Sequence, residues 1–318
     1  MKALVLLGPG DLVLRDMDEP SPAAHEVVIN VEITGMGGSE CAALQNPGIR
    51  PLPNIMGHSI CGVTTGGQRV AVNPLLGCGQ CRYCQEELAQ LCDQWALIGV
   101  QTPGGFAEQV AVPEWALVEL PASLSWEQAC FIEPFANSLN AWERAEAKPA
   151  DTILIVGAGS LGLGVAAIAR QQGFETVQVC ENSRTRQAAA QQLGTSPAEA
   201  SSDLKYDLVF ETVGSEETRS LAIEQTRKGG KTVFLGFATA SSTIDFSRMV
   251  REQKTFIGSF VFSQAQFERA IPLAQMCQSD WVRSLRFEEV AGELAEYIEG
   301  NFNPVKSALR PSWGSPRA

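Results

Sequence analysis

Apolar and polar positions follow two different patterns along the 318-residue chain. Up to about residue 147, short apolar runs are repeatedly broken by Gly and Pro, a pattern that predicts many short β-strands and little helix. Predicted strands in this part cover residues 26–33, 68–73, 106–112 and 117–120. The first part of the chain is therefore predicted to be a β domain.

After Pro149, strand-like runs alternate with longer helix-like runs. The predicted strands are 152–156, 176–180, 207–211 and 231–237, and the predicted helices are 161–172, 184–193 and 217–225. This order predicts βαβ units and a parallel sheet, so the expected fold class is α/β plus β. The tail contains one helix-like run, 290–297, and a closing strand, which are expected to pack onto the first domain. The expected segments are 1–147, 148–274 and 275–318.

Composition and charge narrow the class of protein. With 45% hydrophobic and 19% charged residues, each domain can bury a core, which excludes a disordered chain and a small disulfide scaffold. The net charge of −12 makes nucleic acid a poor partner, although one Arg in a cleft can still bind a phosphorylated metabolite. The apolar stretch 152–169 is predicted to be a buried strand and helix, and the N-terminus does not resemble a signal peptide. We therefore expect a cytoplasmic protein without a membrane partner.

A glycine-rich turn supplies the first candidate site. Gly157-Ala158-Gly159-Ser160-Leu161-Gly162 follows a predicted strand and begins a predicted helix, the context in which such glycines bind a dinucleotide pyrophosphate. Glu181 stands nineteen residues after Gly162, at the end of the next predicted strand, where a carboxylate binds ribose hydroxyls. Glu181 favours NAD(H), whereas the nearby Arg184 and Arg186 keep NADP(H) as an alternative. The candidate cofactor-binding residues are Gly157, Gly159, Ser160, Leu161, Gly162, Glu181 and Arg186.

Four of the nine cysteines fall within fifteen residues and form the second candidate site: Cys78, Cys81, Cys84 and Cys92. An odd cysteine total with such clustering indicates metal ligation rather than disulfides. Four thiolates suit a closed tetrahedral zinc, which has no open position for catalysis. An iron–sulfur cluster is the alternative, and structural zinc is favoured over it.

Taken together, these features resemble the zinc-containing medium-chain dehydrogenase/reductase family, in its polyol, threonine and galactitol-1-phosphate dehydrogenase branch. Besides the glycine turn and the cysteine loop, the resemblance rests on Gly35-Met36-Gly37-Gly38-Ser39-Glu40, Gly57-His58, residues 104–108, Glu133-Pro134 and residues 257–260. It implies a GroES-like catalytic domain over 1–147 and a Rossmann NAD(P)-binding domain over 148–274. It also implies hydride transfer to or from a small molecule and a homodimer or homotetramer that pairs through Rossmann strands.

The catalytic zinc motifs of this family are incomplete in the chain. Gly37 stands where the family has a Cys ligand, Ser59 where it has a Glu, and Ala42 where it has a proton-relaying His. His58 and Glu133 remain, which is one ligand short of the three that a catalytic zinc needs.

Other residues near these motifs bear on whether the chain forms a catalytic zinc site with a substitute ligand. Ser39 matches the family hydroxyl that contacts the substrate oxygen, and Glu40 matches the carboxylate behind it. Cys41 or Cys61 is an alternative third zinc ligand, although free Cys is more often a small buried core residue.

Three functions stay open from the sequence. The favoured one is a reductase of an activated C=C or C=N bond, with Ser39, His58 and Glu133 as catalytic residues and no catalytic zinc. The alternatives are a zinc-dependent dehydrogenase of a secondary alcohol or polyol, including phosphorylated ones, and a catalytically dead relative that senses nucleotides. Because only Lys2 precedes Lys148, no lysine chemistry is expected in the first domain.

Overall fold

The computed structural model describes residues 1–200 and 203–311, which form two compact units. Unit 1 contains Met1–Glu133 and the chain from Ser263 onward, and unit 2 contains Pro134–Phe262. Both divisions fall earlier in the chain than the boundaries expected at 147 and 274. The reason is that the helix Ile132–Ala145 lies almost wholly in unit 2, whereas the helix Gln264–Ala274 belongs to unit 1.

Unit 1 is built mainly from short strands. Its strands before the division are β1 (Lys2–Gly8), β2 (Asp11–Asp16), β3 (Glu26–Met36), β4 (Asn54–Ile55), β5 (Ser59–Thr64), β6 (Arg69–Val72), β7 (Leu75–Leu76), β8 (Ala96–Leu97), β9 (Gln109–Pro113) and β10 (Leu117–Glu119). Its helices there are α1 (Gly38–Gln45), α2 (Arg82–Gln85) and α3 (Trp126–Ala129), with short 3₁₀ helices at Ala89–Leu91 and Glu114–Ala116.

Helix α4 (Ile132–Ala145) crosses the division and begins the chain of unit 2. The remaining elements of unit 2 are β11 (Ile153–Val156), α5 (Ser160–Gln171), β12 (Val177–Cys180), α6 (Arg184–Gln192), β13 (Ser196–Pro197), β14 (Tyr206–Glu211), α7 (Glu216–Gln225), β15 (Thr226–Phe234), α8 (Phe246–Glu252) and β16 (Thr255–Gly258). The chain then returns to unit 1 with α9 (Gln264–Ala274), a 3₁₀ helix at Ser279–Trp281, β17 (Val282–Leu285), α10 (Phe287–Ile298) and β18 (Lys306–Leu309).

The main sheet of unit 1 has the strand order β10-β6-β5-β3-β18-β17, and β9 also pairs with β3. Strand β18 pairs antiparallel with β3, with Ala308 opposite Gly35, so the tail returns to the β domain as predicted. Apolar side chains such as Ile29, Val70 and Val112 are buried in the core of this unit. A long-range strand pair of this kind fixes residues near the C-terminus beside residues of the first forty.

The sheet of unit 2 is parallel and has the order β13-β12-β11-β14-β15-β16. Counted within the unit, this is the order 3-2-1-4-5-6 of a doubly wound Rossmann sheet, which confirms the predicted fold class. The order reverses between β11 and β14. In such sheets ligands bind beyond the carboxyl ends of the strands at this point.

The apolar stretch 152–169 belongs to β11 and α5, both of which are buried in unit 2. Within the described ranges 1–200 and 203–311, no helix combines the length and apolar character needed to cross a membrane. The expectation of little helix before residue 147 is wrong at α4. Its Pro134 lies in the first helical turn, where proline is tolerated, and Phe135, Leu139 and Trp142 form its buried stripe.

Candidate functional site

The glycine-rich turn lies between β11 and α5, beside the point where the strand order reverses. Gly157 has a φ of +95°, a conformation that disfavours residues with a side chain, and a Cβ on Gly162 would lie 1.9 Å from the carbonyl oxygen of Gly157. No described atom lies within 4 Å of the position a Cβ would take on Gly159, so phosphates can approach its backbone. Ser160 and Leu161 begin α5, whose N-terminal N–H groups face that space. The turn therefore fits the pyrophosphate of a dinucleotide.

Glu181 directly follows β12, and the backbone of the turn holds its carboxylate in place. Its Oε2 accepts a hydrogen bond from the N–H of Ala158 at 2.7 Å, and its Oε1 accepts one from the N–H of Ser183 at 2.8 Å. Arg184 is exposed, whereas Arg186 is half-buried on the first turn of α6. The structure therefore places Glu181, which is predicted to bind ribose, directly beside the glycine-rich turn.

The cysteine loop forms a compact set of sulfur donors. All its Sγ atoms lie within 4.8 Å of one another; the residues are Cys78, Cys81, Cys84 and Cys92. Zinc–sulfur bonds of about 2.3 Å place the corners of a ZnS₄ tetrahedron about 3.8 Å apart, so the loop is close to the geometry of bound zinc. The N–H groups of Cys81 and Cys84 donate to neighbouring sulfurs at 3.4 and 3.5 Å. Gly77 is needed because a Cβ there would lie 2.8 Å from the Cys84 sulfur.

The candidate active site in unit 1 is centred on His58, which immediately precedes β5. Its Nδ1 lies 2.6 Å from Oε1 of Glu40, in the first turn of α1, and its Nε2 lies 3.7 Å from Oε2 of Glu133, at the start of α4. The first contact is a short hydrogen bond, whereas the second is too long to be one. Nε2 can therefore direct its hydrogen to another acceptor.

The two carboxylates are themselves held in place. Glu40 is fully buried, and its second oxygen accepts hydrogen bonds from the N–H of Gly37 and the hydroxyl of Ser39, both at 3.0 Å. The hydroxyl of Ser59 donates to Glu133 at 3.0 Å. Ser39, predicted to contact the substrate oxygen, is an exposed residue whose hydroxyl hydrogen is directed at Glu40.

The electrostatics of the site favour a charged imidazole. Burial opposes the charge on His58, but Glu40 and Glu133 outweigh burial and raise the pKa of the ring to about 9. Burial likewise opposes ionisation of Glu40, but His58 outweighs it and lowers the pKa of that carboxyl to about 2. At neutral pH the site therefore contains an imidazolium whose Nδ1–H is held by a carboxylate and whose Nε2–H is available as a proton donor.

Among the described residues, no third metal ligand lies beside His58 and Glu133. Gly37 has no side chain, and the hydroxyl of Ser59 is engaged with Glu133. Across residues 1–200 and 203–311, the four loop cysteines are the only His, Cys, Asp or Glu donors that converge in a group of three or more. The donor set around His58 does not fit a catalytic zinc, which needs three protein ligands.

Cys41 and Cys61, the alternative zinc ligands, lie in the core of unit 1. Both are almost fully buried, and the Cys61 thiol donates to the carbonyl oxygen of Ala129 at 3.5 Å. Burial raises the pKa of both thiols well above its usual range. These properties are those of small core residues rather than thiolate ligands.

Sequence reasoning overlooked one cation near the site. Strand β18 places Lys306 across Gly35: a Cβ on that glycine would lie 3.0 Å from the lysine Nζ and 3.2 Å from Cβ of Ser59. Lys306 is only 3% exposed, and its ammonium lies 5.7 Å from the ring centre of Phe131. The expectation that the first domain lacks a relevant lysine ignored the returning strand, and only the long-range pairing of β18 with β3 reveals it.

Comparison with known proteins agrees with this architecture. A family described as alcohol dehydrogenase GroES-like domain matches residues 23–122, and one described as zinc-binding dehydrogenase matches residues 160–276. L-galactonate-5-dehydrogenase of Escherichia coli K12 is 30% identical over 283 residues, which cover 81% of this chain and 83% of that relative.

Two solved structures extend the likeness to nearly the whole chain. A protein described as a zinc-binding dehydrogenase from Sinorhizobium meliloti 1021, bound to NADP, is 25% identical with a TM-score of 0.87, covering 98% of this chain and 99% of its own. An alcohol dehydrogenase of Escherichia coli CFT073 in complex with NADH has the same TM-score and coverage at 22% identity, so that likeness concerns the fold.

Proposed function

Because the chain belongs to the zinc-type alcohol dehydrogenase family of NAD(P)-dependent oxidoreductases, we propose that it reduces an activated C=C or C=N bond of a small molecule without a catalytic zinc. The observation that carries this proposal is the pairing of His58 with Glu40 in a site to which none of the described residues brings a third metal ligand. Oxidation of a simple alcohol depends on a Lewis acid that stabilises the alkoxide. Reduction of an already electrophilic carbon needs only a hydride and a positioned proton donor.

The residues of the chain divide this work between them. The turn at Gly157–Gly162 and the N-terminus of α5 would hold the pyrophosphate of the dinucleotide, whose reduced nicotinamide supplies the hydride. His58 would deliver a proton from Nε2 to the atom that gains the electron pair of the double bond. Glu40 holds Nδ1 and stabilises the imidazolium, and Glu133 keeps a second negative charge next to Nε2. Ser39 adds an exposed hydroxyl next to Glu40.

Metal content and chelation test this function. We expect about one zinc per chain. We also expect NADH-dependent reduction of 2-cyclohexen-1-one or of a cyclic imine. A chelator should not abolish this activity as long as the cysteine-bound ion is retained. Zinc is measured by mass spectrometry on the same samples. Two zinc ions per chain, with activity lost when the more labile one is removed, would overturn the proposal.

A zinc-dependent dehydrogenase of a secondary alcohol or polyol is the second candidate. It is favoured by the 3.7 Å separation of His58 Nε2 and Glu133 Oε2 and by the activity for which the relative, L-galactonate-5-dehydrogenase, is named. This candidate requires a second zinc that recruits a ligand from elsewhere in the protein. The zinc stoichiometry above therefore separates the two functions.

For the cofactor, we propose NAD(H) rather than NADP(H), although structures similar in fold contain either one. The support is Glu181, whose carboxylate is fixed beside the turn and would repel a 2′-phosphate. We expect NADH to bind about tenfold more tightly than NADPH, as repulsion of about 1–2 kcal/mol implies. Fluorescence titration of both cofactors measures the ratio. Glu181→Gln should reduce the preference for NADH, and Arg184→Ala should leave it unchanged. Tighter binding of NADPH than of NADH by the unmodified protein would contradict the assignment.

We also propose one structural zinc in the cysteine loop and a homodimer or homotetramer in solution. The oligomer is supported by β16, which is an edge strand of the parallel sheet, and by the adjacent α8, which exposes the apolar side chains of Phe246 and Val250. Exposed apolar groups next to an open strand edge are typical of surfaces that pair. Light scattering that finds a monomer would contradict this proposal.

A further inference from the structure

A cavity in unit 2 lies between the C-terminal ends of α5 and α6, where β12 begins. We propose that this cavity binds a small neutral molecule in which a ring the size of phenol carries one hydroxyl or carbonyl oxygen. The glycine-rich turn lies at the other end of α5, so the cavity is separate from the dinucleotide site. The inference therefore does not depend on the proposed reaction.

The volume and lining of the cavity suit a single ring. Its volume is about 160 Å³, and an apolar cavity of about 150 Å³ is large enough to bind benzene. Most of the side chains that line it are apolar: Ala166, Phe174, Val177 and Leu193. Burial of a ring against such side chains removes apolar surface from water, which favours binding.

The aromatic wall of the cavity is fixed before any ligand binds. The ring of Phe174 packs edge-on against Trp142, with ring centres 5.1 Å apart and planes at 90°. The indole N–H of Trp142 donates to the side-chain oxygen of Gln172 at 3.0 Å, and the N–H of Phe174 donates to the carbonyl oxygen of Ala169 at 3.0 Å. A ligand therefore does not have to reorganise this wall, which lowers the free-energy cost of binding.

Thr195 gives the cavity one polar group that a ligand can satisfy. Its side chain lines the cavity and is only 8% exposed. Its hydroxyl oxygen is buried, and no residue within 1–200 and 203–311 forms a hydrogen bond with it. A buried hydroxyl without a partner is unfavourable, and most such groups in proteins are paired. An oxygen on the bound ring would supply the missing hydrogen bond.

Arg170 also lines the cavity, but its charge is matched by the protein. It lies in the last turn of α5, and its Nη1 lies 2.7 Å from the position that a Cβ would take on Gly194, two residues beyond α6. The C-terminus of a helix carries about half of a negative elementary charge, so two such ends balance one guanidinium. A carboxylate ligand would disturb this balance and lose its own hydration. The cavity therefore suits a neutral ligand.

Fluorine NMR titration of the NADH-loaded protein tests the inference with three probes of similar size. 4-Fluorophenol has the ring and the oxygen, fluorobenzene lacks the oxygen, and 4-fluorobenzoate carries a charge. We expect 4-fluorophenol to bind with a Kd of about 1 mM or tighter, a reasonable affinity for so small a ligand. Fluorobenzene should bind about 3- to 10-fold more weakly because it cannot pair with the hydroxyl. 4-Fluorobenzoate should also bind at least about threefold more weakly.

Variants assign the binding to the cavity. Thr195→Val keeps the shape of the side chain but removes the hydroxyl, so it should weaken 4-fluorophenol about 3- to 10-fold and leave fluorobenzene unchanged. Thr195→Ser should retain most of the 4-fluorophenol affinity. Ala166→Leu fills the cavity and should prevent binding of both probes. Thr176→Val is the matched control, because Thr176 is exposed immediately before β12, and it should have no effect.

Thermal melting checks that each variant is folded, and the two Thr195 variants decide the test if Ala166→Leu unfolds. Absence of saturable 4-fluorophenol binding would overturn the inference, since the hydroxyl would then be satisfied by water alone. Equal 4-fluorophenol affinity in folded Thr195→Val and unmodified protein would also overturn it. Tighter binding of 4-fluorobenzoate than of 4-fluorophenol would contradict the assignment of a neutral ligand.

Discussion

Replacing His58 by Gln is expected to lower kcat for reduction of the unsaturated ketone by about 10²- to 10⁴-fold, the usual contribution of a positioned proton donor. The amide side chain can still hydrogen-bond but cannot supply a proton. Because His58 belongs neither to the glycine turn nor to the cysteine loop, NADH affinity and the zinc content of the protein should remain unchanged. Stopped-flow or steady-state kinetics at saturating NADH measure the loss.

The pH dependence of the unmodified enzyme provides a second readout. The proton donor must be protonated, and the two carboxylates raise the pKa of His58 to about 9, although burial acts in the opposite direction. The rate of reduction should therefore be flat from about pH 6.5 to 8.5 and fall about tenfold per pH unit above 9. The His58→Gln protein should lack this inflection.

His25→Gln is the matched control, since His25 is the other histidine of the chain and is exposed in a turn. It should keep the rate and the pH profile of the unmodified enzyme. An inflection near pH 6.5, the ordinary value for histidine, would show that Glu40 does not hold the proton on the ring. A His58→Gln enzyme with full activity would remove His58 from the mechanism.

Local patterns in the sequence were sufficient for most of the fold. The alternation of apolar runs after Pro149 predicts β11, β12 and β14 within one residue, because parallel strands buried on both faces are continuously apolar. Helix α4 was missed because the whole chain before residue 147 was interpreted as short strands, although Pro134 lies in the first helical turn, where proline is tolerated. Its apolar period becomes clear only when Phe135, Leu139 and Trp142 are aligned at helical spacing.

The motifs of the candidate site could be predicted from the sequence, but the hydrogen-bond partners of its side chains could not. Gly157–Gly162, Glu181 and the cysteine loop are each encoded by short spacing, and the structure gathers each of them into one place. The hydrogen-bonded counterion of His58 depends on which oxygen of Glu40 bonds to which donor, and spacing carries no such information. Lys306 comes from strand pairing across most of the chain.

The cysteine loop should show the largest effect on stability. Cys81→Ser is expected to lower the zinc content toward zero and to destabilise unit 1 by about 4 kcal/mol or more, the range in which loss of a metal site falls. The reason is that the loop has little core of its own: Cys78, Cys81 and Cys84 are only partly buried, and α2 contains no buried residue. Without an ion that joins its sulfurs, little holds the loop in its folded conformation.

Calorimetry with parallel zinc analysis measures this prediction. A loss of that size corresponds to a melting temperature lower by roughly 10 °C for a unit of this length. Cys180→Ser is the matched control, because Cys180 is also a half-buried free cysteine but lies outside the loop. That control should change the stability by less than about 1 kcal/mol and leave zinc bound. A Cys81→Ser protein that loses its zinc but keeps its melting temperature would show that the ion does not stabilise the fold, and one that keeps its zinc would show that three sulfurs are enough to hold it.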